Sequence, residues 1–384
     1  MKIEHLPTPA YVCEVELLEN NLKLLRSVKE RSGAKIILAL KGFAMWSTFD
    51  LVAQYLDGCT ASGLHEAKLA NEEMCKKLPT SRDCEVHTYS PAFIPSDIEE
   101  IAKISNHIVF NSSAELNRYY KQVKEINPEI SISLRVNPEF SSSPVDLYNP
   151  CGLYSRLGTT LDNFNEADLA LLDGLNFHAL CEQNVDALKG VLHAFEEKFG
   201  SFIDKMSYIN FGGGHHITRK DYDVDGLVEV ILDFKKRHAV DVYLEPGEAV
   251  GWETGFLIST VLDIVDNGMK IAILDTSAEA HMPDTLAMPY RAMVRGSGLA
   301  QEKSYTYRLG GNTCLAGDIM GDYSFDKELK VGDKIIFEDQ IHYTFVKNTT
   351  FNGVRLPSLA LKSRDGEIDV VKSFAYEDYK KRLS

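Results

Sequence analysis

Residues suited to chemistry follow apolar, strand-like runs of this sequence. Lys41 comes directly after the run 36–40, which holds four large aliphatic residues and an alanine, and Gly42 follows at once. Such a run predicts a strand buried on both faces, as in a parallel sheet covered by helices. A lysine is rarely fully buried, and the carboxyl end of such a strand is where barrel enzymes keep their active sites. Taken alone, the stretch favours a lysine that simply ends a strand and reaches into solvent.

Other strand-like runs end in residues of comparable chemistry: Arg135, His178, Gly212–Gly214 and Glu245. So many such residue types at equivalent positions argue against a chance series of strand ends. Glycines let backbone N–H groups approach a phosphate closely, although a plain glycine turn is the alternative. Glu245 precedes a Pro-Gly turn, and a carboxylate there needs a cation or a donor such as a protonated ring nitrogen.

Two other features resemble metal or disulfide sites without the required spacing. His215 and His216 are adjacent, so their side chains diverge, and no second ligand pair lies four residues away on a helix. We therefore expect loop residues near a phosphate site and no metal. The seven cysteines are scattered without a Cys-x-x-Cys pair, which predicts reduced thiols in the cytoplasm and neither a disulfide framework nor a zinc site.

Strand-like and helical stretches alternate between residues 36 and 245. Strands are predicted at 36–40, 58–62, 85–90, 107–111, 131–137, 175–180, 207–212 and 241–245, with a long loop over 138–160. This span of about 210 residues is close to the roughly 250 of a (β/α)8 barrel. A doubly wound open sheet is the alternative, but no Gly-x-Gly-x-x-Gly follows the first strand.

Past Glu245 the pattern changes to short β-branched or aromatic segments separated by Gly, Asn and Asp, which predicts an antiparallel β domain. The segments are 256–265, 270–274, 304–309, 334–338, 341–346 and 367–371, with a helix at 376–383. We expect a barrel domain over 15–245 and a β-rich domain made of 1–14 and 246–384, which the N-terminal strand joins.

The bulk composition narrows the class of partner. The chain has 384 residues, of which 44% are hydrophobic and 25% charged, as in soluble globular proteins. A net charge of -15 argues against nucleic acid and anionic membranes, and it favours a cationic small molecule. Neither a signal peptide nor a membrane-spanning run is expected, which agrees with the cytoplasm.

In their order, these motifs resemble the fold type III pyridoxal-phosphate-dependent decarboxylases, which include ornithine, arginine and diaminopimelate decarboxylases. The matching stretches are Leu40-Lys41, Phe177-His178, Gly212–Gly214, Glu245-Pro246-Gly247, Cys314–Asp318, Tyr343 and Phe351-Asn352-Gly353. Lys41–Trp46, Gly213–His216 and the compact length are similar to one branch, the carboxynorspermidine (carboxyspermidine) decarboxylases. The resemblance implies a (β/α)8 TIM barrel that binds pyridoxal 5'-phosphate, an added antiparallel β domain, and decarboxylation in polyamine biosynthesis.

The resemblance also implies a role for each residue. Lys41 would hold the cofactor covalently and later help to return a proton, which suits an amine of lowered pKa. His178 would stack on the pyridine ring, and Glu245 would keep the ring nitrogen protonated and the ring a strong electron sink. The other implied cofactor contacts are Arg135, Gly212, Gly213, Gly214 and Tyr343, with Glu66 as a nearby acid on a helix.

Further implied residues belong to the second domain and would act across a homodimer with shared active sites. Cys314 would donate a proton to the carbanion, and Asp318 would bind an amine of a cationic, polyamine-type substrate. Additional candidates for binding the remote amines or the rest of the substrate are Glu14, Glu279, Asp284, Glu248 and His281.

Two departures from the family pattern affect the choice of substrate. Glu248 stands where relatives commonly carry arginine, so the phosphate would rely on backbone donors unless this acid turns away. Leu315 replaces an acid of ornithine and diaminopimelate decarboxylases, which favours the polyamine branch. Diaminopimelate or another basic amino acid is the alternative substrate. A racemase is less favoured, because such enzymes typically pair the ring nitrogen with arginine and not with a carboxylate such as Glu245. A non-catalytic cofactor-binding barrel usually lacks the second domain, and an antizyme-like regulator usually loses the lysine or the glutamate.

Overall fold

The computed structural model describes residues 1–78, 83–143 and 145–384, so Pro144 of the loop predicted over 138–160 falls outside the description. In chain order the strands are β1 (Ala10–Glu14), β2 (Lys35–Ile36), β3 (Leu38–Ala39), β4 (Gly58–Ala61), β5 (Glu85–Tyr89), β6 (His107–Phe110), β7 (Ser131–Arg135), β8 (Gly174–Asn176), β9 (Tyr208–Asn210), β10 (Asp241–Leu244), β11 (Gly255–Asp266), β12 (Lys270–Leu274), β13 (Tyr305–Gly310), β14 (Ile319–Phe325), β15 (Lys334–Glu338), β16 (Ser358–Lys362) and β17 (Ile368–Lys372). The α-helices are α1 (Val15–Ser32), α2 (Phe49–Val52), α3 (Leu64–Glu73), α4 (Ile98–Ile104), α5 (Ser113–Ile126), α6 (Val185–Ile203), α7 (Val224–His238), α8 (Glu248–Gly251), α9 (Ala278–His281), α10 (Asp284–Ala287) and α11 (Tyr376–Leu383). Two compact units result, one of Glu19–Val250 and one of Met1–Leu18 with Gly251–Ser384.

The unit Glu19–Val250 is a nearly closed parallel barrel. Its nine strands are hydrogen-bonded in the order β2-β10-β9-β8-β7-β6-β5-β4-β3. Strands β2 and β3 are the two halves of one stretch, and Ile37 between them still donates its N–H to the Leu244 carbonyl at 3.0 Å. The predicted barrel is therefore confirmed, with its first strand split in two.

Aromatic packing fixes the two strand ends that precede His178 and the triple glycine. The rings of Phe177 and Phe211 stack with centroids 5.3 Å apart. Phe195 of α6 packs on Phe177 at 4.9 Å, and Phe234 of α7 packs on Phe211 at 5.0 Å. All four rings are fully buried. Since aromatic pairs add about 0.5–1.5 kcal/mol beyond their buried area, the helices hold these strand ends firmly.

The second unit is a mostly antiparallel sheet in the order β14-β13-β12-β11-β1-β16-β17, with β15 also paired to β11. The N-terminal strand β1 lies in this sheet, antiparallel to β11 and parallel to β16. Buried apolar side chains of these strands, among them Val12, Phe256, Ile258 and Ala360, form one core cluster. The expected antiparallel β unit is thus confirmed.

Three local predictions differ from the structure. The strand expected over 341–346 is wrong, because Tyr343–Lys347 is a 3-10 turn that begins with Tyr343 at φ +33°, outside the β region. Strands β14 and β16 were not predicted, since Gly321 and Asp322 interrupt the apolar pattern of β14, and β16 has only three apolar residues in a row. The expectation that every thiol is reduced is also wrong, because Cys75 and Cys84 form a disulfide whose nine-residue separation no Cys-x-x-Cys search would find.

Across the described ranges, no helix combines the length and the apolar composition that crossing a membrane would require. The helix expected at 376–383 is present as α11.

Candidate active site

A tight turn presents Lys41 at the end of the first barrel strand. The N–H groups of Gly42 and Phe43 both donate to the Ala39 carbonyl, at 3.0 and 3.3 Å. The turn packs directly on the one that follows the last barrel strand. A Cβ added to Gly42 would lie 2.9 Å from the Gly247 Cα and from the backbone nitrogen of Glu248, the partly buried first residue of α8. Glycine is therefore required there, and the contact fixes Lys41 beside the Glu-Pro-Gly turn.

The Lys41 side chain is exposed to solvent, and the protein atoms around it still remove part of its hydration. Burial lowers the pKa of its amine, and the positive charge of Arg135 lowers it further. Glu245, Glu66 and Cys181 act on the Lys41 pKa in the opposite direction. An amine of lowered pKa is nucleophilic near neutral pH, as a cofactor-anchoring lysine must be.

The buried side chain of Asn210, which the sequence analysis did not single out, orients Glu245. Its amide nitrogen donates to a Glu245 carboxylate oxygen at 2.8 Å, and its amide oxygen accepts from the Gly212 N–H at 2.8 Å. The Glu245 N–H donates in turn to the Gly212 carbonyl at 2.8 Å. The only sequence signal was an amide at the last position of the apolar strand β9. Asn210 thereby joins the predicted ring-nitrogen partner to the glycine loop.

The loop Gly212–Gly214 has no space for side chains. A Cβ at the three positions would lie 2.4, 2.5 and 2.1 Å from carbonyl oxygens of neighbouring loops. Gly212 and Gly214 also have φ values of +70° and +83°, which L-residues adopt only at a cost. The loop is thus built from backbone alone, as a phosphate-binding turn requires.

His178 is held as a neutral imidazole. The Gly213 N–H donates to its Nδ1 at 2.9 Å. Burial lowers the pKa of His178 well below its ordinary value, and Lys41 and Arg135 lower it further. The proton of the neutral ring therefore lies on Nε2. Arg135 is itself buried, donating to the His178 carbonyl at 3.1 Å and lying 4.7 Å from the centre of the Tyr89 ring.

In the sheet unit, Asp318 is buried and accepts five hydrogen bonds. One carboxylate oxygen accepts hydrogen bonds from the Ser277 hydroxyl and from the N–H groups of Ala278 and Glu279, at 3.1, 2.6 and 3.3 Å. The other carboxylate oxygen accepts hydrogen bonds from the N–H and the hydroxyl of Thr313, at 3.2 and 2.6 Å. These contacts favour a structural role for Asp318 at the start of α9, and its expected contact with a substrate amine stays a prediction.

The other acids expected to meet substrate amines differ in their partners. Glu14 pairs with Lys362 at 2.5 Å, and Asp284 pairs with Lys347 at 2.7 Å. The carboxylate of Glu279 is half-buried and meets no cation in the parts of the chain that the structure describes. Of these three acids, Glu279 is therefore the one available to an incoming amine.

The remaining predicted residues of the sheet unit have different environments. Cys314 is exposed, and its N–H donates to the Asn352 side chain at 2.6 Å. His281 is completely buried, and burial lowers its pKa to about 4. Its Nδ1 accepts from the Ser277 N–H at 3.2 Å, so a substrate contact by His281 stays a prediction that this burial does not favour. Tyr343 is half-buried in its strained turn.

Within the described ranges, one group has metal-ligand residue types, at the amino ends of the barrel strands. Ligand atoms of Glu85, His87 and His107 lie within 4.8 Å of one another. The Lys35 ammonium already contacts the Glu85 carboxylate, however, and the two imidazoles stack with centroids 3.8 Å apart. A metal ion cannot lie in both planes of stacked rings, so we assign no metal to this group.

A parallel barrel with these strand-end residues and a separate antiparallel sheet defines a fold type III pyridoxal-phosphate enzyme. Residues 10–340 match the family model described as pyridoxal-dependent decarboxylase, C-terminal sheet domain. The chain belongs to this family, so its cofactor is pyridoxal 5'-phosphate and its activity is that of a decarboxylase, as the sequence motifs predicted.

The chain is also similar throughout to individual members of the family. It is 52% identical to the carboxynorspermidine/carboxyspermidine decarboxylase of Campylobacter jejuni over the full length of both chains. It is 43% identical to a carboxyaminopropylagmatine decarboxylase of Synechocystis, over the whole of this chain and 97% of that one. The crystal structure of the Campylobacter jejuni carboxynorspermidine decarboxylase complexed with norspermidine superposes with a TM-score of 0.90 at 51% identity, covering 98% of this chain and all of that one.

Proposed function

We propose that this enzyme removes the α-carboxylate of carboxynorspermidine and carboxyspermidine, giving norspermidine or spermidine plus CO₂ in polyamine biosynthesis. The observation that carries the chemistry is the Lys41 amine of lowered pKa, which is electrostatically coupled to the Glu245 carboxylate that Asn210 orients. The full-length identity of 52% to a decarboxylase of this name supports the substrate. Diaminopimelate is the alternative substrate, and racemisation is the less favoured alternative reaction.

Each barrel residue then has a defined task toward the cofactor. When bound, pyridoxal phosphate supplies the sink for the electrons that the departing carboxylate leaves behind. Lys41 offers a neutral amine for the covalent attachment that the substrate amine later replaces. The Glu245 carboxylate accepts the ring N–H, and Asn210 holds its orientation. The loop Gly212–Gly214 would bind the phosphate and Arg135 would border the cofactor, while Tyr343 of the sheet unit stays a predicted phosphate contact.

The neutral state of His178 suits a residue that stacks on a cationic ring. A second positive charge against a protonated pyridine would be repelled, and the lowered pKa of His178 removes that charge. The bond from the Gly213 N–H to Nδ1 also fixes the orientation of the imidazole plane. His178 therefore positions the cofactor ring without placing a second positive charge beside the one that Glu245 is proposed to meet.

The substrate tail and the second subunit complete the proposal. A polyamine tail carries positive charge, which agrees with the net charge of -15. Glu279 is the acid we place against a remote amine, with Glu248 a further acid near the cofactor. Cys314, whose thiol is exposed in the single chain, donates the proton to the α-carbon of a substrate held by the partner subunit of a homodimer. A cysteine with that task must be accessible.

We also place the enzyme in the cytoplasm. Its small cationic substrate is expected there, and five free cysteines fit a reducing compartment. The Cys75–Cys84 disulfide argues in the other direction. Fractionation of the native cells, with a periplasmic and a cytoplasmic marker, distinguishes the two compartments.

The test of the proposed function is CO₂ release from a panel of substrates by the wild type and by Lys41→Ala. The panel is carboxynorspermidine, carboxyspermidine, carboxyaminopropylagmatine and diaminopimelate. We expect the first two to be the best substrates, and Lys41→Ala to lose both turnover and the visible absorbance of bound cofactor. Lys35→Ala, at the opposite end of the same strand stretch, is the matched control and should keep both. An active Lys41→Ala enzyme, or a clear preference for diaminopimelate, contradicts the proposal.

Mixing two inactive variants tests the shared site. Lys41→Ala lacks the lysine that the barrel unit supplies to the site, and Cys314→Ala lacks the cysteine that the sheet unit supplies. A mixed dimer therefore contains one site with both residues intact. We expect activity to return after the two are unfolded and refolded together. Lack of any recovery would place Cys314 in the same chain as its Lys41 or outside the site.

A further inference from the structure

His215 follows the glycine loop directly, and its buried ring has no hydrogen bond. The residue is 2% exposed, and neither ring nitrogen has a hydrogen-bond partner among the residues that the structure describes. A buried polar group left without a partner costs about 1–3 kcal/mol. Such groups are rare in native proteins and call for a specific explanation.

The ring lies within the loops that surround the proposed cofactor site. His215 forms a β-bridge with Gln183, whose N–H donates to the Gly214 carbonyl at 3.0 Å. The ring is close enough to His178 to lower the pKa of that imidazole. The carbonyls of Phe211 and Gly212 border the His215 ring without reaching hydrogen-bond geometry. His215 therefore belongs to the glycine loop, and its neighbours leave its ring nitrogens unused.

The position after the Glu-Pro-Gly turn supplies no cation to the phosphate. The residue there is the acid Glu248. The N–H groups of Gly212 and Gly213 already donate to Asn210 and His178, and an anion of about −1.5 to −2 charge is bound more strongly by a charge-assisted partner. An imidazole one residue beyond Gly214 offers that partner without the entropy of a long side chain.

We infer that His215 is a cofactor-binding residue whose ring N–H donates to the phosphate group of bound pyridoxal phosphate. The inference rests on the proposed seating of the phosphate at Gly212–Gly214. It gives the unused ring nitrogen a partner that is present only in the loaded enzyme. Burial lowers the pKa of His215 to about 4 in the unloaded protein, and a phosphate dianion beside the ring would raise it again.

The inference separates the stability of the apoprotein from its affinity for the cofactor. In His215→Leu an apolar side chain replaces an unsatisfied polar one, so the apoprotein should be at least as stable as the wild type. Its affinity for pyridoxal phosphate should fall about 10–100-fold, since a hydrogen bond to a charged group contributes roughly 1.5–3 kcal/mol. Titration of the apoenzyme with pyridoxal phosphate and urea unfolding measure the two quantities.

Tyr222→Phe is the matched control. The Tyr222 hydroxyl is also buried and also without a hydrogen-bond partner in the described part of the chain, but it lies outside the glycine loop. Its removal should leave both the apoprotein stability and the cofactor affinity close to the wild type. The ³¹P resonance of the bound cofactor should move in His215→Leu and stay in place in Tyr222→Phe.

Several results would overturn the inference. A His215→Leu protein with wild-type cofactor affinity and an unchanged ³¹P resonance would show that the ring does not reach the phosphate. Loss of apoprotein stability with normal affinity would show an internal or water-mediated bond. If the leucine variant does not fold, the ³¹P resonance of His215→Gln decides, and an unchanged shift refutes the contact. Failure of the wild type to bind pyridoxal phosphate would instead refute the proposed function.

Discussion

The contact between Gly42 and the turn after the last barrel strand predicts how precisely Lys41 must be placed. In Gly42→Ala the new Cβ would lie 2.9 Å from three backbone atoms of Gly247 and Glu248. Apolar contacts prefer about 3.5–4.0 Å, so one backbone must move by at least roughly 0.6 Å. Neither side can relieve the clash by changing a rotamer, because main-chain atoms make the contact.

The displacement has two measurable consequences. Overpacking of this kind typically lowers the free energy of unfolding by about 1–3 kcal/mol. A misplacement approaching 1 Å at a reacting group can cost about 100-fold in rate, so we expect kcat to fall roughly 10–100-fold. The KM for carboxynorspermidine should change little, because the substrate tail does not contact Lys41. Urea unfolding and steady-state CO₂ release measure both.

Gly63→Ala is the control for the change of glycine to alanine. A Cβ at Gly63, at the start of α3, would meet nothing within 4 Å, and its backbone is extended. That variant should keep the turnover of the wild type, with a change in stability of less than about 1 kcal/mol. If Gly42→Ala behaves like Gly63→Ala in both assays, the reasoning that this contact positions Lys41 is refuted.

Four further outcomes are expected. Glu279→Gln should raise the KM for carboxynorspermidine about tenfold while kcat stays within a factor of two, because a single partly exposed ion pair contributes on the order of 1 kcal/mol. An unchanged KM would show that Glu279 does not bind the substrate. Asp318→Ala should lower the free energy of unfolding by about 3 kcal/mol or more, since five donors lose their acceptor, and a stability loss below 1 kcal/mol would contradict that reading. The pKa of His281 is about 4, against 6.5 in the unfolded chain, so the unfolded state binds the proton first. The free energy of unfolding should therefore fall by up to about 3 kcal/mol as the pH drops from 6.5 to 4. Urea unfolding of the wild type and of His281→Gln across that range isolates this contribution, and the difference between them should vanish if the ring is accessible. Reduction of the Cys75–Cys84 disulfide should destabilise the barrel unit by about 2–3 kcal/mol for a loop of roughly ten residues. Alkylation of the protein unfolded without reductant should label five thiols and not seven, because Cys13 and Cys59 are buried in the folded chain.

The barrel was predictable because its signal is local. Each buried parallel strand is a short apolar run, and parallel strands place their carboxyl ends at one edge. Lys41, Arg135, His178 and Glu245 therefore had to lie at the same end of the barrel once the strands were recognised. The electrostatic coupling of Lys41 to Arg135 and Glu245 in the structure agrees with that argument. The residue roles and the domain boundaries at 14/15 and 245/246 stay predictions.

Contacts between distant segments were not predictable in the same way. The five donors to Asp318 come from Thr313 and from the start of α9, about 40 residues earlier in the chain. Nothing in the sequence around Asp318 distinguishes a carboxylate that caps a helix from one that meets a substrate. Asn210 is similar, because its two partners are set by the pairing of β9 with β10. The strand predicted over 341–346 was wrong for a local reason: its aromatic and β-branched residues favour strands, but Tyr343 has a positive φ.

Burial is the main cause of the lowered pKa values of Lys41 and His178, and the buried cation Arg135 adds to it. Arg135 is held by the His178 carbonyl and the Tyr89 ring, so its charge stays in place whether or not a ligand is bound. That charge lowers the pKa of both Lys41 and His178. Each of these residues is needed in its neutral form, Lys41 as a nucleophile and His178 as a stacking surface. Asn210 orients Glu245, whose contact with the positive charge of the cofactor ring stays a prediction.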